Sequence, residues 1–167
     1  MTKELKAAVA KRRIAKYRPG WEPLDLTGFS SITEEAAELV SQIERGELDL
    51  RNLEEISEKV AEHLGNHKGS LDLGGLKSLS VGSATSLAGH DGWLHMGIEE
   101  LDDDAALALS KGTVTLNLTG LKSLNATPGH MALAGKLVAD DTADRMYSLQ
   151  NVAKEVIDKF PSLKQSD

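Results

Sequence analysis

Leu71-Asp72-Leu73-Gly74-Gly75-Leu76-Lys77-Ser78-Leu79-Ser80 returns almost unchanged as Leu116-Asn117-Leu118-Thr119-Gly120-Leu121-Lys122-Ser123-Leu124-Asn125. A looser copy starts at Leu94, and two more fit the same template from Leu24 and Leu48. Starts at 24, 48, 71, 94 and 116 are 24, 23, 23 and 22 residues apart. A nearly constant period in the twenties is the mark of a repeat array, in which no unit buries its apolar side alone.

Each unit divides into three parts. An L-x-L strand comes first, with Leu24/Leu26, Leu48/Leu50, Leu71/Leu73, Leu94/Met96 and Leu116/Leu118 on one face. A turn follows with two apolar residues three apart: Phe29/Ile32, Leu53/Ile56, Leu76/Leu79, Ile98/Leu101 and Leu121/Leu124. Gly28, Gly75 and Gly120 sit in these turns, where positive φ is cheapest for glycine. The next residue is Thr33, Ser57, Ser80, Asp102 or Asn125, all from the set that caps helix N-termini. A helix is therefore expected after each, with Ala37, Ala61, Ala84, Ala106 and Gly129 as its small contact positions. Gly46, Gly69, Gly92, Gly112 and Gly135 are expected just past the helix ends. Val81-Gly82-Ser83 and Thr127-Pro128-Gly129 are poor helix formers, so packing overrides propensity there or those segments are partly 3₁₀ or loop.

The flanks read as caps. Residues 3–17 carry an apolar stripe (Leu5, Ala8, Val9, Ile14, Tyr17), and Pro19-Gly20 ends it. Leu137-Val138-Ala139 reads as a degenerate sixth strand. From Thr142 to Phe160 the spacing of Met146, Leu149, Val152, Val156 and Phe160 predicts a closing helix, stopped by Pro161. The expected organisation is one domain over 1–167: an N-terminal helical cap (1–23), five repeats (24–137), and a C-terminal strand or helical cap (138–167).

With its L-x-L-x-x-L-x-x-L-[S/T/D/N] units, the chain resembles a leucine-rich repeat protein of the bacterial type over about residues 24–137. One departure stands out. The common repeat places an Asn or Cys after the strand, and this chain has Phe29, Leu53, Leu76, Ile98 and Leu121 in that neighbourhood. The resemblance implies an α/β solenoid, with a parallel sheet on a concave face, short helices on the other, and a macromolecular partner on the sheet. Bacterial relatives that act as ubiquitin ligases use a cysteine, which is lacking here.

Composition narrows function further. Net charge is -7 and aromatics are 4%, so the core is aliphatic. Without cysteine there is no disulfide, thiolate metal site or cysteine nucleophile, and the expected compartment is the reducing cytoplasm. No apolar run reaches the length of a membrane span. Neither a phosphate loop nor a nucleophile elbow occurs, so no enzyme activity, cofactor or small-molecule substrate is expected. His63 and His67 have zinc-pair spacing but lack the H-E-x-x-H glutamate, and a turn of acids at Asp102-Asp103-Asp104 suits a helix N-terminus, so no metal site is assigned.

Alternation along the strands sends a second set of residues away from the leucines. Its central column is Asp25, Asp49, Asp72, His95 and Asn117; Trp93 precedes the column, and Arg51 and Thr119 follow it. These eight residues are the expected partner-binding set, for a protein with a basic surface. As exposed like charges on neighbouring strands, Asp49 and Asp72 are expected to repel, so removing them should leave stability unchanged or raise it. A second expectation concerns the basic N-terminal stretch, where Lys11, Arg12, Arg13, Lys16 and Arg18 could tether nucleic acid or an anionic membrane.

Overall fold

The structure is a computed structural model, and it describes residues 3–18, 20, 22–44, 46–143, 146 and 148–164. In chain order the elements begin with β1 (Glu4–Leu5), α1 (Ala7–Lys16), β2 (Leu24–Asp25), β3 (Ser31–Ile32), α2 (Glu34–Ser41), β4 (Glu47–Asp49) and α3 (Glu58–Gly65). They continue with β5 (Ser70–Leu73), α4 (Val81–Ala88), β6 (Trp93–Met96), α5 (Asp103–Ser110), β7 (Thr115–Asn117), β8 (Ser123–Leu124), α6 (Pro128–Ala139), β9 (Asn151–Val152) and α7 (Lys154–Lys159). The fold is α/β with parallel sheets.

Strands β2, β4, β5, β6 and β7 form one five-stranded parallel sheet in sequence order. Its register is the sequence period itself: Leu24 faces Leu48, Leu48 faces Leu71, Leu71 faces Leu94 and Leu94 faces Leu116. Parallel neighbours need a crossover, and one helix supplies it in each of the four connections. The inward leucines, together with Met96, are buried in a single core with the first apolar residue of every turn. Of the second turn residues, Leu79, Leu101 and Leu124 are buried, and Ile32 and Ile56 are partly so.

A second backbone ladder runs along the turns. Glu54 N–H donates to Ser30 O, Lys77 N–H to Glu54 O (3.1 Å) and Lys122 N–H to Glu99 O (2.9 Å). Ion pairs Lys77–Glu54 and Lys122–Glu99 lie beside it. Both chain ends extend this ladder. Strand β1 pairs with β3 and β9 pairs with β8, each in parallel.

Helix starts follow the capping expectation in three units. Thr33, Ser57 and Ser80 accept from the N–H groups of Ala36, Val60 and Ser83. Asp102 makes no such bond, and Asn125 is displaced because α6 starts at Pro128. There the cap comes from the neighbouring helix: the Asp103 carboxylate accepts from Thr127 Oγ1 and from His130 N–H.

Gly112 lies just past the end of α5 as expected, but other glycine roles differ from the expectation. Gly46, Gly69 and Gly92 lie directly before strands, not at helix ends, and have φ of 125°, 153° and 150°. A Cβ on Gly69 would stand 2.1 Å from Gly46 O, so close stacking and positive φ both demand glycine. At Gly75 the reason is approach alone, because a Cβ there would be 2.3 Å from Arg51 O. Gly135 lies inside α6.

Histidines 67 and 90 sit in the loops that lead into β5 and β6, fully buried. Each Nε2 reaches a carbonyl one unit back: His67 to Gly46 O (3.1 Å) and His90 to Gly69 O (2.9 Å). Their rings stack at 6.1 Å. His130 repeats the pattern in α6, donating from Nε2 to Leu101 O while Nδ1 accepts from Asn125 N–H.

The ends bring corrections. Residues 3–6 are extended before α1, since Ser30 N–H donates to Lys3 O and Thr33 N–H to Leu5 O. Leu5 and Ala10 are buried in the common core. Residues 137–139 form no sixth strand; they are the last turn of α6. Nor does one helix run from Thr142 to Phe160, because Gln150 and Asn151 N–H donate to Lys122 O and Ala153 N–H to Leu124 O. Those bonds hold residues 150–153 extended, and α7 follows as a separate helix. The apolar residues Met146, Leu149 and Val156 are buried nonetheless. Pro19 and Trp21, expected at the end of the first helix and the lead into the first repeat, lie outside the described residues. Among the described residues no helix is long and apolar enough to cross a membrane.

Candidate binding face on the sheet

Away from the leucines the sheet carries the expected column. Asp25 faces Asp49, Asp49 faces Asp72, Asp72 faces His95 and His95 faces Asn117. The residues are therefore brought together as the period predicts, but their exposure is not as expected. Asp25 is exposed, whereas Asp49 and Asp72 keep only 6% and 9% of their surface.

Arg51 explains the difference. Its Nε donates to Asp49 Oδ1 (2.7 Å), and a terminal nitrogen lies 3.3 Å from Asp72 Oδ2. The guanidinium thus straddles two strands and turns an expected repulsion into a clamp. Asp72 has further partners, since its Oδ1 accepts from Gly74 N–H (2.9 Å) and lies 3.0 Å from His95 Nδ1. His95 in turn reaches across the next strand, placing Nε2 2.9 Å from Thr119 Oγ1. Asp25 closes on its own unit, accepting from Thr27 Oγ1 (2.7 Å) and Thr27 N–H (2.9 Å).

The charge states follow. Hydrogen bonds from the Thr27 hydroxyl and N–H hold the Asp25 carboxyl below its ordinary value. Burial acts to raise Asp72, but the bonds from His95 and Gly74 and the nearby positive charge outweigh it, so this carboxyl is also lowered. Asp72 is ionised at neutral pH and acts only as an acceptor. His95 Nδ1 then carries a hydrogen toward Asp72, and Nε2 stands within hydrogen-bond reach of Thr119 Oγ1.

Trp93 flanks this network, 42% exposed, opposite Thr115 on β7. Asn117 Oδ1, next to His95 in the column, has no hydrogen-bond partner among the described residues. A glycine-floored cleft of about 550 Å³ opens nearby, where the turns after β5 and β6 meet; Gly74, Gly75, Leu76 and Gly97 line it with the charged Lys77, Glu99 and Glu100.

The basic cluster is a separate surface. Lys11, Arg12, Arg13, Lys16 and Arg18 are exposed on and just after α1. Lys3, Arg12, Arg13 and Lys16 surround a cleft of about 420 Å³ with Glu4, Val9 and Phe29, and Lys3 Nζ lies 5.2 Å from the Phe29 ring centroid. His63 and His67 do not converge, since His67 is committed to Gly46 O. Asp103 is committed to capping α6, and the Thr127 hydroxyl and His130 N–H lower its carboxyl. Among the described residues no group of three or more His, Cys, Asp or Glu is placed to hold a metal ion.

What sequence reasoning missed is the linkage. The eight residues stood in adjacent columns, but the Arg51–Asp72 contact joins residues on neighbouring strands and the two links of the Asp72–His95–Thr119 chain span 23 and 24 residues, all with no local motif. The usable signal was the register, which set His95 beside Asp72 and one strand from Thr119. Comparison with protein-family models, with curated proteins and with solved structures returned no match.

Proposed function

We propose that the chain is a leucine-rich-repeat solenoid of five rungs, closed at each end by a short strand and helix, and that it works as a protein-interaction module. In this reading it is an adaptor, inhibitor or assembly factor that binds through the sheet face carrying Trp93. The observation that supports it is an indole 42% exposed on a strand paired on both sides in the five-stranded sheet. Aromatic anchors on preorganised surfaces dominate binding energy at interfaces. The partner surface is polar to basic, matching a chain of net charge -7 with Asp25 and Glu47 open on the same face. The absence of cysteine suits the cytoplasm.

The test is photo-crosslinking from position 70 or 115, on either side of Trp93, in the native host, followed by binding isotherms for the captured protein. Trp93→Ala should weaken that complex by about 2 kcal/mol or more and leave the melting temperature in place. Unchanged affinity on that substitution would move the interface elsewhere.

A second reading is favoured by the cleft on α1. Four cations against one carboxylate, Glu4, around Val9 and Phe29 suit an anionic surface, either nucleic acid or an acidic membrane. Binding to DNA and to anionic vesicles, titrated with salt, separates the readings. Reversing Arg12 and Arg13 to Glu should abolish polyanion binding if the tether is real, and should not touch the Trp93-dependent complex.

A further inference from the structure

The sheet face holds a constellation that binding alone does not require. Asp72, His95 and Thr119 are aligned as carboxylate, imidazole and hydroxyl: 3.0 Å from Asp72 Oδ1 to His95 Nδ1, then 2.9 Å from His95 Nε2 to Thr119 Oγ1. The order matters. An ionised carboxylate fixes the Nδ1–H tautomer, and the Nε2 lone pair is then aimed at the hydroxyl proton. Asp72 is itself fixed, by Gly74 N–H at 2.9 Å and by Arg51 at 3.3 Å on its other oxygen. Gly74 also makes room for the imidazole, because a Cβ there would stand 3.0 Å from Asp72 Oδ1 and 3.2 Å from His95 Cε1. Thr119 is partly exposed, and the cleft lined by Gly74, Gly75 and Gly97 begins one strand away.

We propose that Thr119 is a nucleophile, with His95 as its general base and Asp72 as the residue that positions the base, and that it accepts small acyl groups from activated esters. In the step, Thr119 Oγ bonds to the acyl carbon while its proton passes to His95 Nε2. The tetrahedral adduct collapses, the bond from acyl carbon to leaving oxygen breaks, and the leaving oxygen takes that proton. Water then repeats the sequence on the acyl-threonine, with His95 again as base, and releases a carboxylic acid and free Thr119. The neighbouring cleft is lined by Gly74, Gly75, Gly97 and Leu76 together with Lys77, Glu99 and Glu100, and its glycine floor leaves room for a small acyl group.

The full-length chain is treated with p-nitrophenyl acetate, phenolate release is followed, and the acetyl group is located by peptide mass mapping. Acetyl on Thr119 is expected, formed faster than on any surface lysine. Thr119→Ser should retain the reaction and Thr119→Val abolish it. His95→Gln keeps an amide able to bridge Asp72 and Thr119 yet cannot accept a proton; it should slow acylation of Thr119 by about a hundredfold, the lower end of what a positioned base supplies. Asp72→Asn should slow it in the same direction. Circular dichroism spectra like that of the parent show that each variant is folded. Acetyl confined to lysines, or Thr119 acetylated equally fast in His95→Gln, would overturn the proposal and reduce the three residues to a clasp across neighbouring strands. Neither outcome bears on Trp93-dependent partner binding.

Discussion

Asp72 is a buried carboxylate held by Gly74 N–H, Arg51 and His95. Its place beside Asp49 and His95 followed from the repeat period, because parallel register converts equal spacing into contact. Its energetic sign did not follow. That depends on Arg51, two residues beyond Asp49, curling back over two strands, a rotamer choice no period encodes. The consequence reverses the expectation from like charges. Asp72→Ala strips a buried acceptor from Gly74 N–H, Arg51 and His95, and should destabilise by about 1–3 kcal/mol in chemical denaturation. A neutral or stabilising result would return the column to simple repulsion. The buried histidines were equally opaque, since His67 and His90 repeat in sequence but their carbonyl partners lie 21 residues back. Burial holds both imidazoles below their ordinary value, and the nearby His67 charge adds to this for His90. The unfolded chain therefore binds more protons than the folded one as pH falls. Their contribution is fully present above the unfolded value of 6.5 and drains away as pH falls below it. Urea midpoints should decline over that window, and a His67→Gln/His90→Gln double variant should show a shallower decline; equal slopes would remove these two residues as the cause.

Helices and strands were legible wherever one residue type sufficed to mark them. L-x-L strands, and the Thr33, Ser57 and Ser80 caps, are local chemistry and stand where the sequence puts them. Misplacement came where a distant backbone competed for the same residues. Residues 150–153 have helical spacing, yet Lys122 and Leu124 carbonyls draw their N–H groups into an extended pairing. Residues 3–5 are claimed in the same way at the other end by the turn before α2. Poor intrinsic propensity was overridden in α4 and α6, where the packing of neighbouring helices and the Asp103 cap compensate. Each end of the turn ladder is therefore covered by chain rather than by water. Removing residues 1–20 takes away Leu5 and Ala10 from the core, uncovers Phe29 and leaves the Ser30 and Thr33 N–H groups unpaired. The truncated chain should melt at lower temperature or aggregate. A soluble truncation that keeps the parent melting temperature would show that the basic segment is only an attachment.

Taken whole, the molecule is held by ties that run between neighbouring units: the five-stranded sheet, the turn ladder, the histidine bonds and the helix contacts. Such an array has energetics close to a sum over neighbours, so length is adjustable only in whole periods. Deleting Leu48 through Ser70 removes one period of 23 residues and joins Glu47 to Leu71. Every inward leucine stays inward, Gly46 takes over the place of Gly69, and its carbonyl becomes available to His90. Asp72, His95 and Thr119 keep their mutual spacing. The shortened chain should fold with the parent's circular dichroism signature, a lower denaturant midpoint, and a smaller m-value because less surface is exposed on unfolding. Deleting Leu48 through Leu71 instead removes one residue more, and the alternation then turns Asp72 toward the core and Leu73 toward water. That variant should fail to fold. If both deletions behave alike, the ties between units are not the register-specific ones described above, and the period in the sequence reflects composition rather than stacking.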